Sequence, residues 1–230
     1  MNVVRYARRD ETSFRMDRFS GRIDACQLIK VTLKQLHDPR DAVSLMMGLN
    51  QPQAGSIRYD QQDWLGTDYS RHFKMRSQIG RVFAGSAWIQ SLTVRENIQL
   101  CMSHHRSSKS EIRSNIRRWT KRLSGNRIAS ILHAMTRRPA VVEPSILQVC
   151  QFIRAFCNHP KLLLLERPLR SLAEDFYPHF ISSIETLRTE GTAVLWFTGD
   201  RQAHEGDLQS PVIQWSVDDD RLTTGEGSNS

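Results

Sequence analysis

The chain has 230 residues, with 32 Lys+Arg against 24 Asp+Glu for a formal charge of +8; 39% hydrophobic and 24% charged residues are ordinary values for a globular domain. A chain this long buries roughly 70–75% of its unfolded surface, so collagen, coiled coil and wholesale disorder are excluded. The longest apolar runs, Leu162 to Leu165 and Ala193 to Phe197, fall far short of the roughly 18 residues that cross a bilayer. Arg5, Arg8 and Arg9 are followed by Asp10 and Glu11 and not by an apolar stretch. No secretory signal is therefore expected, and a cytoplasmic location is. Cys26, Cys101, Cys150 and Cys157 have no metal-knuckle spacing and are expected as small apolar filler, and the histidines form no zinc pattern.

In chain order, apolar or alternating runs predict strands at Cys26 to Thr32, Ser56 to Tyr59, Gln78 to Phe83, Leu162 to Leu165, Ala193 to Phe197 and Val212 to Val217. Helices lie between them. Ala42, Leu45, Met46 and Leu49 mark one apolar face, and Ile146, Val149, Cys150 and Ile153 mark another. Thr93 with Glu96 forms a capping box for a helix through about Leu100, and Ile112, Ile116, Trp119 and Leu123 stripe the next. Leu123-Ser124-Gly125-Asn126 reads as a helix stop. Glu174 and Asp175 read as a helix start. The expected fold class is α/β, a sheet domain carrying an inserted helical sub-domain over about 91–144. One domain is expected over 1–222, with a disordered Gly/Ser/Thr-rich tail from Thr223 to Ser230.

Several segments fall in a specific order. Met47-Gly48-Leu49-Asn50-Gln51-Pro52 leads to Gly55-Ser56-Ile57, then to Ile79-Gly80-Arg81-Val82-Phe83 and Ser91-Leu92-Thr93-Val94-Arg95-Glu96-Asn97-Ile98. Later, Arg154-Ala155-Phe156 precedes His159-Pro160-Lys161, Leu162 to Leu165 and Pro168. This series resembles the nucleotide-binding domain of an ATP-binding-cassette (ABC) transporter over most of residues 26 to 200. The resemblance implies an ABC-type P-loop NTPase-like sheet core with N-terminal β strands and the inserted helical sub-domain.

At the chemical positions the sequence departs from that family. Its phosphate loop, glycine-rich and ending in Gly-Lys-Ser/Thr, falls on Leu33-Lys34-Gln35-Leu36-His37-Asp38-Pro39-Arg40-Asp41, which has no glycine and no matching lysine. Such a loop turns backbone N–H groups toward phosphates at a helix start while its lysine neutralises them. Here Asp38 is expected as the N-cap and Pro39 at the first helical position. Ala84 stands where the resemblance implies a magnesium- and water-contacting glutamine. Glu166 and Arg167 stand where it implies the magnesium aspartate and the general base. Gly199 stands for its histidine, and Ala173 for a further aspartate. The signature segment maps to Val142-Glu143-Pro144-Ser145-Ile146, with Ser145 expected to cap the helix that follows. Arg167 cannot accept a proton at neutral pH and is expected to pair with Glu166 or with a neighbouring chain.

These replacements together predict no enzyme activity and no nucleotide or other cofactor. The resemblance then implies a pseudo-ATPase serving as scaffold or regulator on a transporter-like complex, peripheral on the inner face of the cell membrane and faintly similar to the lipid-transport branch. Its partners would be a transmembrane subunit and a second copy or an active homologous ATPase. The groove for the membrane subunit maps near Ala84, Gly85, Ser86 and Trp88, with Trp88 either an exposed anchor or buried core. A different class remains open beside it. Arg113, Arg117, Arg118, Lys121, Arg122, Arg127, Arg137 and Arg138 lie in a stretch without acidic residues, so a basic nucleic-acid-binding protein on the same fold is the alternative, with a solvated surface or anionic lipid as other uses of those charges. No Gly-x-Ser-x-Gly elbow or Cys/His pairing points to another enzyme.

Overall fold

Successive residues of the central strands face opposite sides of one sheet, and each side is its own core. The computed structural model describes residues 2–6, 16–34, 36–85, 87–199, 208, 211–218 and 221–224. The first half contains β1 (Asn2–Tyr6), β2 (Met16–Phe19), β3 (Leu28–Leu33), α1 (Arg40–Met46), β4 (Ala54–Ser56), β5 (Arg58–Tyr59), β6 (Gln62–Asp63), α2 (Tyr69–Ser77) and β7 (Ile79–Val82). There follow α3 (Val94–His104), α4 (Lys109–Leu123), α5 (Ile128–Met135), α6 (Pro144–Phe156), β8 (Leu162–Glu166), α7 (Tyr177–Thr189), β9 (Ala193–Gly199), β10 (Val212–Asp218) and β11 (Arg221–Thr224).

The main sheet has six strands in the order β11-β10-β3-β9-β8-β7, parallel throughout except for β11. Strand alternation divides its side chains. Leu163, Leu165, Val194 and Trp196 face the helical side with α3, α4, α6 and α7, while Leu164, Leu195, Phe197, Ile29, Val31 and Leu33 face α1, Trp64 and Trp215. A separate antiparallel sheet, β2-β1-β4, supplies the N-terminal strands. Neither β1 nor β2 has an alternating apolar pattern, and their sequences, NVVRY and MDRF, gave no strand signal of their own.

Helices α3, α4 and α5 lie between Val94 and Met135, and the apolar stripes of α4 and α6 face inward. Ile112, Ile116, Trp119 and Leu123 are all buried, as are Ile146, Val149, Cys150 and Ile153. Trp119 meets Phe156 edge-on at 5.2 Å, and Phe152 packs against Phe180 at 4.5 Å. The Thr93–Glu96 capping box forms in both directions, but α3 continues to His104. Gly125 ends α4 with φ +52. Gly80 lets α6 lie against the sheet, since a Cβ there would stand 2.6 Å from the Ala155 carbonyl oxygen.

Four expectations are corrected. Leu49 is 52% exposed because α1 ends at Met46 and the chain turns at Gly48; a Cβ at Gly48 would clash with Trp64. Ser145 lies inside α6, and its hydroxyl accepts from Ala173 N at 2.9 Å instead of capping the helix. β11 runs through Thr224, two residues into the segment expected to be loose, while 225–230 lie outside the described residues. Of the cysteines, Cys150 and Cys157 are core filler, whereas Cys26 is exposed at a turn with φ +67.

Phe152 sits between Phe156 and Phe180 with no exposed surface. Phe152→Ala is expected to lower unfolding free energy by about 3–5 kcal/mol, checked by urea denaturation. A loss below about 1 kcal/mol would mean that the α6–α7 contact collapses around the cavity.

Candidate functional site

β3, β8 and β9 end side by side, so the residues just after them share one edge of the sheet. A cavity of about 470 Å³ opens there, lined by residues including His37, Asp38, Arg40, Ala84, Glu166 and Arg167. The residues mapped to the phosphate loop thus share this edge with those mapped to the magnesium aspartate, the base and the glutamine. Gly199, at the end of β9, adjoins them.

Arg167 organises this edge. It follows β8 with φ +45, a left-handed conformation unusual for a residue other than glycine, and its backbone N–H donates to Phe197 O at 2.8 Å. Its guanidinium Nη2 donates to the Lys34 carbonyl at 2.8 Å and to the His37 carbonyl at 3.0 Å. The loop thus turns carbonyl oxygens, not N–H groups, toward the cation. Gly199 gives that cation room, since a Cβ there would stand 2.8 Å from Arg167 Nη1. The expected pairing of Arg167 with Glu166 is corrected: Glu166 has another partner.

That partner is Arg81, one strand over on β7. Glu166 has no exposed surface, and its Oε1 accepts from Arg81 Nε at 2.6 Å while Ala84 N lies 3.4 Å from Oε2. The Arg81 guanidinium stacks on Phe83 at 4.3 Å. Burial pushes the Glu166 carboxyl above its usual range, and the Arg81 charge and hydrogen bond only partly oppose this. Asp38 shifts the other way. Burial alone would raise it, but hydrogen bonds from the Arg40 side chain and backbone, with the charges of Arg40 and Arg167, hold it below the usual carboxylate value. Its Oδ1 accepts from Arg40 N at 2.9 Å and Oδ2 from Arg40 Nε at 2.6 Å. Asp38 thus closes a turn onto Arg40, and the expected cap is corrected by one residue: Pro39, at φ −76, is the N-cap of α1, which starts at Arg40 and has no side-chain cap bond.

The residues expected to border a partner groove line a smaller neighbouring cleft of about 210 Å³, whose walls include Ala84, Gly85, Trp88, Val142, Pro144 and Leu147. Ser86 lies outside the described residues. Trp88 is only 8% exposed, under the Arg154 guanidinium at 4.4 Å, so it forms the floor of this cleft and not a protruding anchor. Burial pushes Arg154 down to about 10, and it donates to Ala87 O at 2.7 Å. Gln151 Oε1 accepts from Phe83 N at 2.6 Å, and Asn97 accepts from Ile89 N and donates to Ile89 O. Sequence reading missed these residues and Arg81. Polar Gln148 and Gln151, one helical turn apart on the otherwise apolar face of α6, were the available signal.

The basic patch is only partly free. Arg118 pairs with Glu190 and Arg122 donates to Thr186, both on or beside α7, while Arg117 and Lys121 are exposed.

No protein-family model matches the chain. The methionine import ATP-binding protein MetN 1 of Acinetobacter baylyi is 24% identical over 161 residues, covering 70% of this chain and 44% of that protein. The putrescine transport ATP-binding protein PotG of Escherichia coli is 24% identical over 162 residues, covering 69% and 39%. The chain thus spans under half the length of these two relatives. Among solved structures, the ATP-binding cassette MJ0796, a dimer in a post-hydrolysis state bound to ADP and Pi, superposes with a TM-score of 0.79 at 17% identity, covering 98% of this chain and 97% of that one. The fold is that of an ABC nucleotide-binding domain, and the sequence relatives are ATP-binding subunits of transport systems, which does not favour the nucleic-acid alternative. Among the described residues no helix is long and apolar enough to cross a membrane.

Removing Arg81 isolates a buried carboxylate. Arg81→Met is expected to cost about 3–5 kcal/mol at pH 8. The Glu166 carboxyl is already raised in the folded state, and losing Arg81 raises it further, so the folded chain binds the proton more tightly than the unfolded one. The electrostatic part of the defect is therefore absent below the ordinary glutamate range and grows as pH rises. Denaturant titrations at pH 5 and pH 8 read this directly: an equal defect at both overturns the assignment, and adding Glu166→Gln to Arg81→Met is expected to recover part of the loss.

Proposed function

We propose that this chain is a non-catalytic, ABC-ATPase-like cytoplasmic subunit that docks on a transmembrane subunit of a transporter-like complex, peripheral on the inner face of the membrane, as scaffold or regulator. The observation that carries this reading is the Arg167 guanidinium seated on the Lys34 and His37 carbonyls. A triphosphate needs inward-pointing N–H groups and a free cation. Here inward carbonyl oxygens and the Asp38 carboxylate would face it, and Arg167 stands in the loop. Glu166, engaged by Arg81, is a poor magnesium ligand without phosphates to complete the coordination. The residues present therefore do not fit magnesium-bound ATP, and no phosphoryl-transfer step is derived.

On this reading the surface beside the cavity keeps its use. Ala84, Gly85, Val142, Pro144 and Leu147 offer a largely apolar cleft over the Trp88 floor, suited to a short helix of the membrane subunit. Self-association fits the dimeric character of the structural neighbour MJ0796. The methionine and putrescine systems differ in cargo, so no transported substrate is proposed for this chain.

Titration calorimetry of the purified chain with magnesium-ATP is expected to show no saturable heat, and millimolar nucleotide is expected to leave the melting temperature unchanged. Saturable micromolar binding would overturn the proposal. Arg167→Glu alone is expected to give no phosphate release, because a restored carboxylate has no bound phosphate beside it.

A further inference from the structure

At the opposite edge of the sheet, where β7 and β8 begin, lies a second cavity of about 340 Å³ whose lining includes Tyr59, Asp60, Arg71, Lys74, Gln78 and Lys161. It is separated from the Arg167 edge by the length of the strands, about 15 Å. Its frame is fixed by backbone bonds. The Gln78 carbonyl, after the end of α2, accepts from Lys161 N at 2.8 Å, which ties the helix to the start of β8. The β5–β6 hairpin closes the other side through Asp60 and Gln61, both left-handed at φ +49 and +64.

Charge and polarity here favour one ligand chemistry. Arg71 and Lys74 project from α2 and Lys161 from β8's approach, while Asp60 neutralises Lys161 across 3.3 Å. Three cations and one carboxylate leave a local charge of +2, which matches the dianion of a phosphate monoester near neutral pH better than a monoanionic carboxylate. Beside these charges, Tyr59 Oη reaches Gln78 O at 3.5 Å and Gln78 Oε1 at 3.4 Å, contacts long enough to be exchanged for ligand hydroxyls. Burial, then the Asp60 charge, raises the Tyr59 phenol, so it stays a donor. The volume falls within the range of small-molecule sites.

We propose that this cavity binds a small phosphate monoester, either free in solution or presented as a lipid headgroup. The site shares no residue with the Arg167 edge, so it stands or falls separately from the absence of ATP binding.

The full chain is titrated calorimetrically with glycerol 3-phosphate, with glycerol as control, and is sedimented with phosphatidylcholine vesicles with and without phosphatidic acid. Saturable glycerol 3-phosphate binding that weakens about tenfold or more in Lys74→Gln/Lys161→Gln supports a soluble ligand, provided it persists in Arg170→Gln, since Arg170 is exposed and lines the other cavity beside Arg167. Vesicle binding that requires phosphatidic acid and shows the same dependence on Lys74 and Lys161, without soluble binding, supports a headgroup. Both substituted lysines are exposed, and an unchanged melting curve verifies folding. No binding in either arm, binding that survives the double substitution, or binding lost in Arg170→Gln overturns the proposal.

Discussion

The segment joining β3 to α1 must present either N–H or C=O groups to the space at the sheet edge, and that choice sets the sign of whatever can sit there. In this chain the Arg167 guanidinium takes the space, and the carbonyls of Lys34 and His37 turn to it. A cation on carbonyl oxygens satisfies buried polar groups locally. The remaining charges then follow as pairs: Asp38 takes Arg40, and Glu166, unable to use Arg167, takes Arg81 from the adjacent strand. The missing side chain at Gly199 completes the arrangement, because a bulkier residue would occupy the place of Arg167 Nη1. The residues at Arg167, Gly199 and the loop are thus not independent; each fits the geometry of the others.

The fold was legible where one physical period dominated. Buried parallel strands announced themselves at Leu162 to Leu165 and Ala193 to Phe197, and the stripes of α4 and α6 followed from helical spacing. Legibility failed where local polarity was high. α2 carries a single buried residue, Met75, so its sequence YSRHFKMRS has no apolar stripe to find; it is held by the Asp68 cap and its contact with β7. β1 and β2 are strands through pairing with each other and with β4, a long-range property that no short window contains.

The site was legible as a set of positions and not as a set of partners. The family resemblance placed Asp38, Ala84, Glu166, Arg167 and Gly199 together, and the structure puts them at one sheet edge. The resemblance could not say which arginine Glu166 would meet, because Arg81 lies on the adjacent strand, 85 residues away in sequence, and the Arg167 guanidinium turns instead to the Lys34 and His37 carbonyls. Trp88 shows the same limit. Its burial depends on Arg154 from α6 folding over it, a contact between residues far apart in sequence.

The loop from β7 to α3 links the cavity edge to the helical block, and its anchoring bears on what a subunit of this kind can transmit. Gln151 holds Phe83, Arg154 holds Ala87 and Trp88, and Asn97 holds both backbone groups of Ile89. All three anchors stand on α3 or α6, so this stretch is tied to the helical block at several points, while Ala84 N touches Glu166 on the sheet. A force applied at the cleft beside Ala84 therefore reaches the helical block through these hydrogen bonds, and the sheet through Glu166 and through the chain's own continuation from β7. In the proposed docking role such a connection favours a rigid surface, since a hinge would require anchors that exchange between two arrangements of similar energy.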